Sequence, residues 1–172
     1  MLRNVIEFNL ENHHDNRGAF SNIVDLDFIS NNGFDLSDAS ISQASNVARG
    51  TVRGMHYQVS PFEQAKVVWC SSGSAFDVVV DINPYSENFG KWQSFELNSN
   101  QPKAVLIPTG FAHGYQTLSN DTVISYLLLG KTSFEHSRSI LWNDNKLAIS
   151  WPLEVTEISD KDKTADPWPP RS

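Results

Sequence analysis

At 172 residues and 40% hydrophobic composition, the chain is long enough to bury one sizeable core, and its length fits one domain over residues 1–172 better than two. A formal net charge of −7 argues against a broad surface for nucleic acid or anionic membrane, both of which require clustered Lys and Arg. Cys70 is the sole cysteine, which excludes an intramolecular disulfide framework or a multi-cysteine zinc site and fits a reducing, cytoplasmic setting. The start "MLRNVIEFNLENHH" carries no basic-then-apolar signal, and no run approaches the roughly 20 apolar residues that cross a bilayer.

In chain order, Leu26 to Ser30 reads as a helical turn, and residues 31–40, "NNGFDLSDAS", as a loop. From "TVRGMHYQ" (51–58) onward, short apolar segments recur between turn-formers: "QAKVVWC", "SAFDVVVDI", "GKWQSFEL", "AVLIP", "TVISYLLL" and "LAISWPL". That spacing predicts an all-β sandwich or barrel with a few short helical segments. In "SAFDVVVDI" the period of two gives Phe76, Val78, Val80 and Ile82 one apolar face and puts Asp77 and Asp81 on the other. The connections "VSPFE", "NPYSENFG", "NSNQPK" and "LSNDT" hold the Pro, Asn, Ser and Gly that turns favour. The polar, proline-bearing tail either wraps the surface or frays.

On a strand, His56 and Gln58 share a face while Met55 and Tyr57 take the other. Cupin-type jelly rolls, which are double-stranded β-barrels, hold a metal with H-x-H, a following acid and a later P-x-G-x-x-H. The near copy here is His56, Gln58, Glu63 and "PTGFAH" ending at His113. Gln58 stands where the second imidazole would be, and an amide oxygen is a poor ligand for imidazole-type metals. No metal is therefore expected, and the two histidines are free for proton transfer. Each is otherwise a hydrogen-bonded core residue.

Other candidates have two readings each. Lys66, mid-strand with Val68 and Cys70 on its face, is either an edge-strand lysine or a buried ammonium that needs a partner. Asp77 is a structural acid for Lys66 or His113. Arg17 and Phe20 in "DNRGAF" can meet a phosphate and a flat base, or lie in a solvated loop. Arg49 and Arg53 add positive potential near His56 or are surface charge. Tyr126 is a core tyrosine with a rim hydroxyl, and Asp162 belongs to a solvated charge run unless it lies near a histidine.

Taken together, "DNRGAF", "RGTVRGMHYQ", "QAKVV", "GSAFDVVVDINPYSENFGKW", "IPTGFAHGYQTL", "ILWNDNKLAISWP" and "ISDKDK" resemble the dTDP-4-dehydrorhamnose 3,5-epimerase family from residue 15 to about 163. The resemblance implies a cofactor-free jelly roll, usually a homodimer. It implies inversion of centres beside the C4 ketone of a nucleotide-linked 4-keto-6-deoxy sugar. It assigns His56 as base, Asp162 as the acid that orients it, Lys66 as the cation near the enolate oxygen, and Tyr126 as the first of two family tyrosines. It places Arg17, Phe20, Gln43 and Arg53 at or near positions that hold nucleotide and diphosphate, some across the dimer, with His113 and Asp77 lining the pocket. Three departures stand out: the second tyrosine, regarded in the family as the acid that returns a proton on the opposite face, falls on Thr132; the segment "GKTSFEHSRS" lacks the aromatic usual there; and an expected glutamate after Phe20 is Asn22. A threonine hydroxyl is shorter and far less acidic than a phenol, so the expectation is that Tyr126, a water or another group returns the proton, or that only one centre is inverted. The other readings left open are a sugar ketoisomerase, a non-catalytic sugar-nucleotide binding protein and a metal cupin oxygenase.

Overall fold

The alternation in "SAFDVVVD" decides how the layers stack. In the computed structural model, which describes residues 2–10 and 12–170, this segment is an interior strand whose neighbours are antiparallel on both sides. The elements in chain order are β1 (Ile6–Asn9), β2 (Asn12–Asp15), β3 (Gly18–Ser21), α1 (Leu26–Asn31), β4 (Ser40–Asn46), β5 (Val52–Gln58) and β6 (Ala65–Ser72). They continue as β7 (Ser74–Asp81), β8 (Trp92–Asn98), β9 (Lys103–Ile107), β10 (Phe111–Thr117), β11 (Thr122–Leu129), β12 (Ser137–Ser139) and α2 (Asp160–Lys163).

Two five-stranded sheets form, in the orders β1-β9-β6-β11-β4 and β12-β5-β10-β7-β8, and the hairpin β2-β3 stands as a third, two-stranded sheet. The two large sheets close over an inner apolar cluster that includes Val68, Val79, Phe95, Val105, Tyr115 and Ile124. This is the cupin-like jelly roll expected. The outer face of the first sheet is covered by α1 and its flanks, with Ile29, Val67, Leu106 and Leu127 buried between them. Asp25 caps α1 by accepting from the N–H groups of Asp27 (2.9 Å) and Phe28 (3.1 Å), which satisfies donors that a helix start leaves open.

The outer face of the second sheet is covered by the C-terminal segment: Val78, Val80, Met55 and Ala112 pack against Ile140, Leu147 and Ile149, with Trp151 and Trp168 beside them. The wholly apolar face of β7 therefore looks outward into this third layer. Asp77 and Val79 look into the barrel. "LAISWPL", expected among the strands, is instead irregular. Asp144 takes the donors that a ladder would otherwise use: its side chain accepts from the N–H of Lys146 (2.8 Å), and its carbonyl from that of Ala148 (2.9 Å). Ala148 sits at φ 48°, which no strand tolerates.

Strand β5 is not regular either. His113 pairs with His56 and Tyr115 with Arg53, with a register shift between them, so Gly54 and Met55 face the single residue Gly114. The bulge lets Arg53 and His56, three apart, look the same way. It also explains both glycines. Gly54 adopts φ +141°, and a Cβ there would lie 2.5 Å from Gly114 Cα, while a Cβ on Gly114 would lie 2.7 Å from Met55 Sδ.

Candidate active site

Five strands send polar side chains into the barrel. His113 and Tyr115 alternate inward on β10, Asp77 on β7, Lys66 on β6 and Tyr126 on β11, while His56 and Arg53 enter from β5. His56 and His113 are direct cross-strand partners. Each holds a carboxylate: His56 Nε2 lies 2.6 Å from Asp162 Oδ1, and His113 Nε2 lies 2.6 Å from Asp77 Oδ2. With Nε2–H given to a carboxylate, the lone pair of each imidazole falls on Nδ1.

Asp162 reaches the barrel from far along the chain because the C-terminal segment is stitched to β5. Val52 N–H donates to the Glu157 carbonyl at 2.9 Å, and Thr156 N–H to that of Gly50 at 3.2 Å. Ser159 then caps the single turn of α2 by accepting from the Asp162 N–H at 3.1 Å, which turns the Asp162 carboxylate back toward β5. Burial alone would raise this carboxyl. The hydrogen bond and charge of His56, with the Gly54 and Ser159 contacts, outweigh it and hold the group below its usual range. The carboxylate stays ionised, as an orienting partner must. The solvated charge run "SDKDK" thus hides a buried acid, since Asp162 is 3% exposed.

Lys66 faces the same interior. Burial pulls its ammonium from 10.5 down to about 8, opposed by the charge of Asp77, and it makes no direct ion pair among the described residues. Asp77 Oδ1 is likewise buried without a partner. A cation that protein alone does not satisfy is suited to meet an oxygen that gains negative charge. Tyr126 is packed edge-on to His113, ring centroids 6.1 Å apart. Burial, then the neighbouring Tyr115 and Asp77, push its phenol well above the ordinary value, so it stays protonated.

Arg53 stands at the rim, in a groove of about 410 Å³ shared with His56, Ser159, Lys161 and Asp162. Gln58 does not look into the barrel centre. Its Nε2 donates to the carbonyls of Phe62 (2.7 Å) and Lys131 (3.1 Å), and its Oε1 accepts from the Ser133 N–H at 2.6 Å. It braces the two loops that flank Thr132. Thr132 Oγ1 itself accepts from Gln64 Nε2 at 3.1 Å.

Three named residues lie away from this centre within the one chain. Gln43 on β4 donates to Ser125 Oγ at 3.1 Å, on the opposite face of the sheet from Tyr126. Arg17 is held by Asp15 at 2.6 Å, and Phe20 is 72% exposed, both on the β2-β3 hairpin. Residues not singled out from sequence include Lys161, Tyr115 and Asn46. Tyr115 is two residues beyond His113 and was within reach of the alternation rule; Asn46 left no such signal. Among the described residues no group of three or more His, Cys, Asp or Glu side chains gathers as ligands of an ion, and no helix is long and apolar enough to cross a membrane.

A jelly roll holding a carboxylate-bound imidazole, a buried lysine and a protonated tyrosine defines an isomerase that works by proton transfer at carbon. The family model described as dTDP-4-dehydrorhamnose 3,5-epimerase matches residues 1–169. The chain is 40% identical over 151 residues to the dTDP-4-dehydrorhamnose 3,5-epimerase of Sinorhizobium fredii, covering 87% of this chain and 77% of that one. Among solved structures, it resembles the Legionella pneumophila dTDP-6-deoxy-D-glucose-3,5-epimerase in complex with dTDP-4-keto-L-rhamnose (TM-score 0.86, 32% identity, 94% of this chain and 86% of that one). It also resembles a 3'-monoepimerase from Streptomyces bikiniensis in complex with dTDP-quinovose (TM-score 0.87, 28% identity, 95% and 83%). The chain belongs to the dTDP-4-dehydrorhamnose 3,5-epimerase family.

Proposed function

We propose that the chain inverts one carbon beside the C4 ketone of a dTDP-linked 4-keto-6-deoxyhexose. The observation that carries this is the 2.6 Å contact between His56 and buried Asp162. His56 Nδ1 takes the proton from the carbon next to the ketone, and the electron pair moves to the C4 oxygen. The Lys66 ammonium meets the enolate there, in a site where burial strengthens the attraction. Asp162 holds the imidazole in one tautomer and favours the imidazolium that forms. Return of a proton to the other face inverts the centre, and Tyr126, kept protonated by its surroundings, is the group that supplies it.

The single-centre reading rests on the second family tyrosine falling on Thr132, whose hydroxyl is a weak acid and accepts from Gln64 Nε2. Arg53 holds the diphosphate, while His113 Nδ1 and the open Asp77 Oδ1 accept from sugar hydroxyls. Gln58 supports the pocket by fixing its loops.

The working unit is a homodimer of single-domain chains in the cytoplasm. Supporting the dimer, among the described residues β4 has a ladder partner on one side only, and the hairpin carrying Arg17 and Phe20 pairs only with itself. A second copy lets Arg17, Phe20 and Gln43 contribute to a shared nucleotide site. The test is incubation with a dTDP-4-keto-6-deoxyhexose in deuterated water, reading label by carbon. One labelled carbon is expected. Label at both C3 and C5 sinks the single-centre reading, and none at either sinks the epimerase reading; His56→Asn with full exchange removes His56 as base.

A further inference from the structure

We propose that Asn46 is a positioning residue that ties the phosphate-binding arm, Arg53, to the proton-donating Tyr126 by way of Tyr115. The inference rests on the roles given above to Arg53 and Tyr126 and adds a residue to them.

Asn46 is 4% exposed, at the end of β4. Its amide orientation is set by its neighbours. Nδ2 donates to the carbonyls of Thr122 at 3.0 Å and Ala44 at 3.1 Å, and those acceptors can only face an NH2 group. Oδ1 must therefore point into the barrel, where it receives two donors: Arg53 Nε at 2.8 Å and the Tyr115 hydroxyl at 3.2 Å. A carbonyl oxygen has two lone pairs, so this one is saturated.

The directions of the remaining bonds follow. Tyr115, 1% exposed, has one hydroxyl proton and spends it on Asn46. Tyr126 packs against the cluster that contains Tyr115, and with its own proton committed the Tyr115 oxygen can offer that phenol only an acceptor. On the other side, Arg53 has Nε committed to Asn46 and one Nη2 proton to the Ser45 carbonyl at 3.2 Å, which leaves its other N–H groups for phosphate oxygens. Neither Asn46 Oδ1 nor a guanidinium gives up a proton near neutral pH. The chain of bonds is therefore no relay. It fixes two ends: the fork of Arg53 at the rim and the Tyr115 oxygen, the acceptor beside the Tyr126 phenol. A diphosphate seated on Arg53 is held at a set distance from the tyrosine that completes the inversion, which is how binding far from the chemistry raises turnover.

The experiment is a double-mutant cycle on the full chain with Asn46→Ala, Tyr115→Phe and both. It reads dTDP affinity by calorimetry, turnover as the rate of solvent deuterium incorporation at saturating sugar nucleotide, and thermal midpoint. Loss of a hydrogen bond to a charged group predicts about a tenfold weaker dTDP affinity in Asn46→Ala, with turnover also down about tenfold. Tyr115→Phe is expected to lower turnover about tenfold with dTDP affinity unchanged. The double variant is expected to be no slower than the slower single, because both cuts break one chain. Turnover losses that multiply, or an Asn46→Ala that weakens affinity alone or neither quantity at an unchanged midpoint, overturn the proposal. If Asn46→Ala does not fold, Asn46→Ser takes its place, and a Tyr115→Phe protein with full turnover overturns the proposal by itself. A wild-type protein with no exchange brings down the epimerase reading and this inference together, an outcome distinct from the others because the wild-type control fails.

Discussion

Raising the pH should disarm Lys66 before it harms the fold. The fall from 10.5 to about 8 corresponds to about 3 kcal/mol favouring the neutral amine in the folded chain. Because the folded value is lowered, the unfolded chain binds this proton more tightly. The penalty on folding is fully present below about 8 and fades as pH rises from there toward 10.5, so this group makes the protein more stable across that window. Activity runs the other way. With the ammonium as the group that meets the enolate, the active fraction is about 90% at pH 7, half at pH 8 and about a tenth at pH 9. The value of kcat/KM for deuterium incorporation should therefore break near pH 8 and drop about tenfold for each further pH step. The limb in kcat should lie higher, since bound diphosphate favours the charged form. Lys66→Arg keeps a charge at every accessible pH, so its profile should lose the break while its maximum rate falls. A break near pH 8 that persists in Lys66→Arg would refute the assignment.

Two further substitutions test the frame around the dyad. Asp162→Asn preserves size but cannot enforce the tautomer, and exchange should fall by about 10²- to 10⁴-fold. Since the Asp162 carboxyl is held below its usual range, it stabilises the fold at pH above the ordinary carboxylate value and loses that contribution as pH falls through the folded one. Denaturant titrations from pH 7 to 3 should show a smaller acid-side loss in Asp162→Asn than in wild type, and equal losses would contradict the account. Gly54→Ala puts a methyl 2.5 Å from Gly114 Cα; a cost above about 2 kcal/mol is expected, or more than about 5 °C in Tm. An unchanged Tm would mean that the bulge is not what requires glycine.

Much of the barrel was legible because its strands alternate or run apolar: β6, β7, β8, β9 and β11 each coincide with a segment marked from sequence. What alternation cannot say is which face is inside. For β7 the apolar face would ordinarily be placed in the barrel. It faces outward, because a third layer of chain with Trp151 and Trp168 covers that side. The barrel is then free to hold Asp77. The segment 147–153 misled for the converse reason. Its apolar residues are spaced as in a strand and do reach the core, but Asp144 and the φ 48° of Ala148 bend the chain without any ladder.

Within the site, His56 and His113 were visible as motif residues, and the family resemblance supplied Asp162. No sequence rule joins residues 106 positions apart; the capped turn at Ser159 does so in space. The bulge at Gly54 was also invisible, because strict alternation puts Arg53 and His56 on opposite faces. Asn46 left no mark, as a lone asparagine ending a polar strand reads like any other.

The bulge acts as a phase shift in β5. Residues before Gly54 are one step out of time with those after Met55, so Arg53 and His56 sit as same-face neighbours, about 7 Å apart along the strand, with no loop between them. The span between the anchor and the reacting carbon is therefore a backbone constant. Removing one residue at 54–55 would leave Arg53 and His56 two apart on a regular strand, still on one face and still opposite Tyr115 and His113, so the barrel should keep both side chains directed inward. The extra residue is thus absorbed without changing either direction, and what it adds is a local bend of β5.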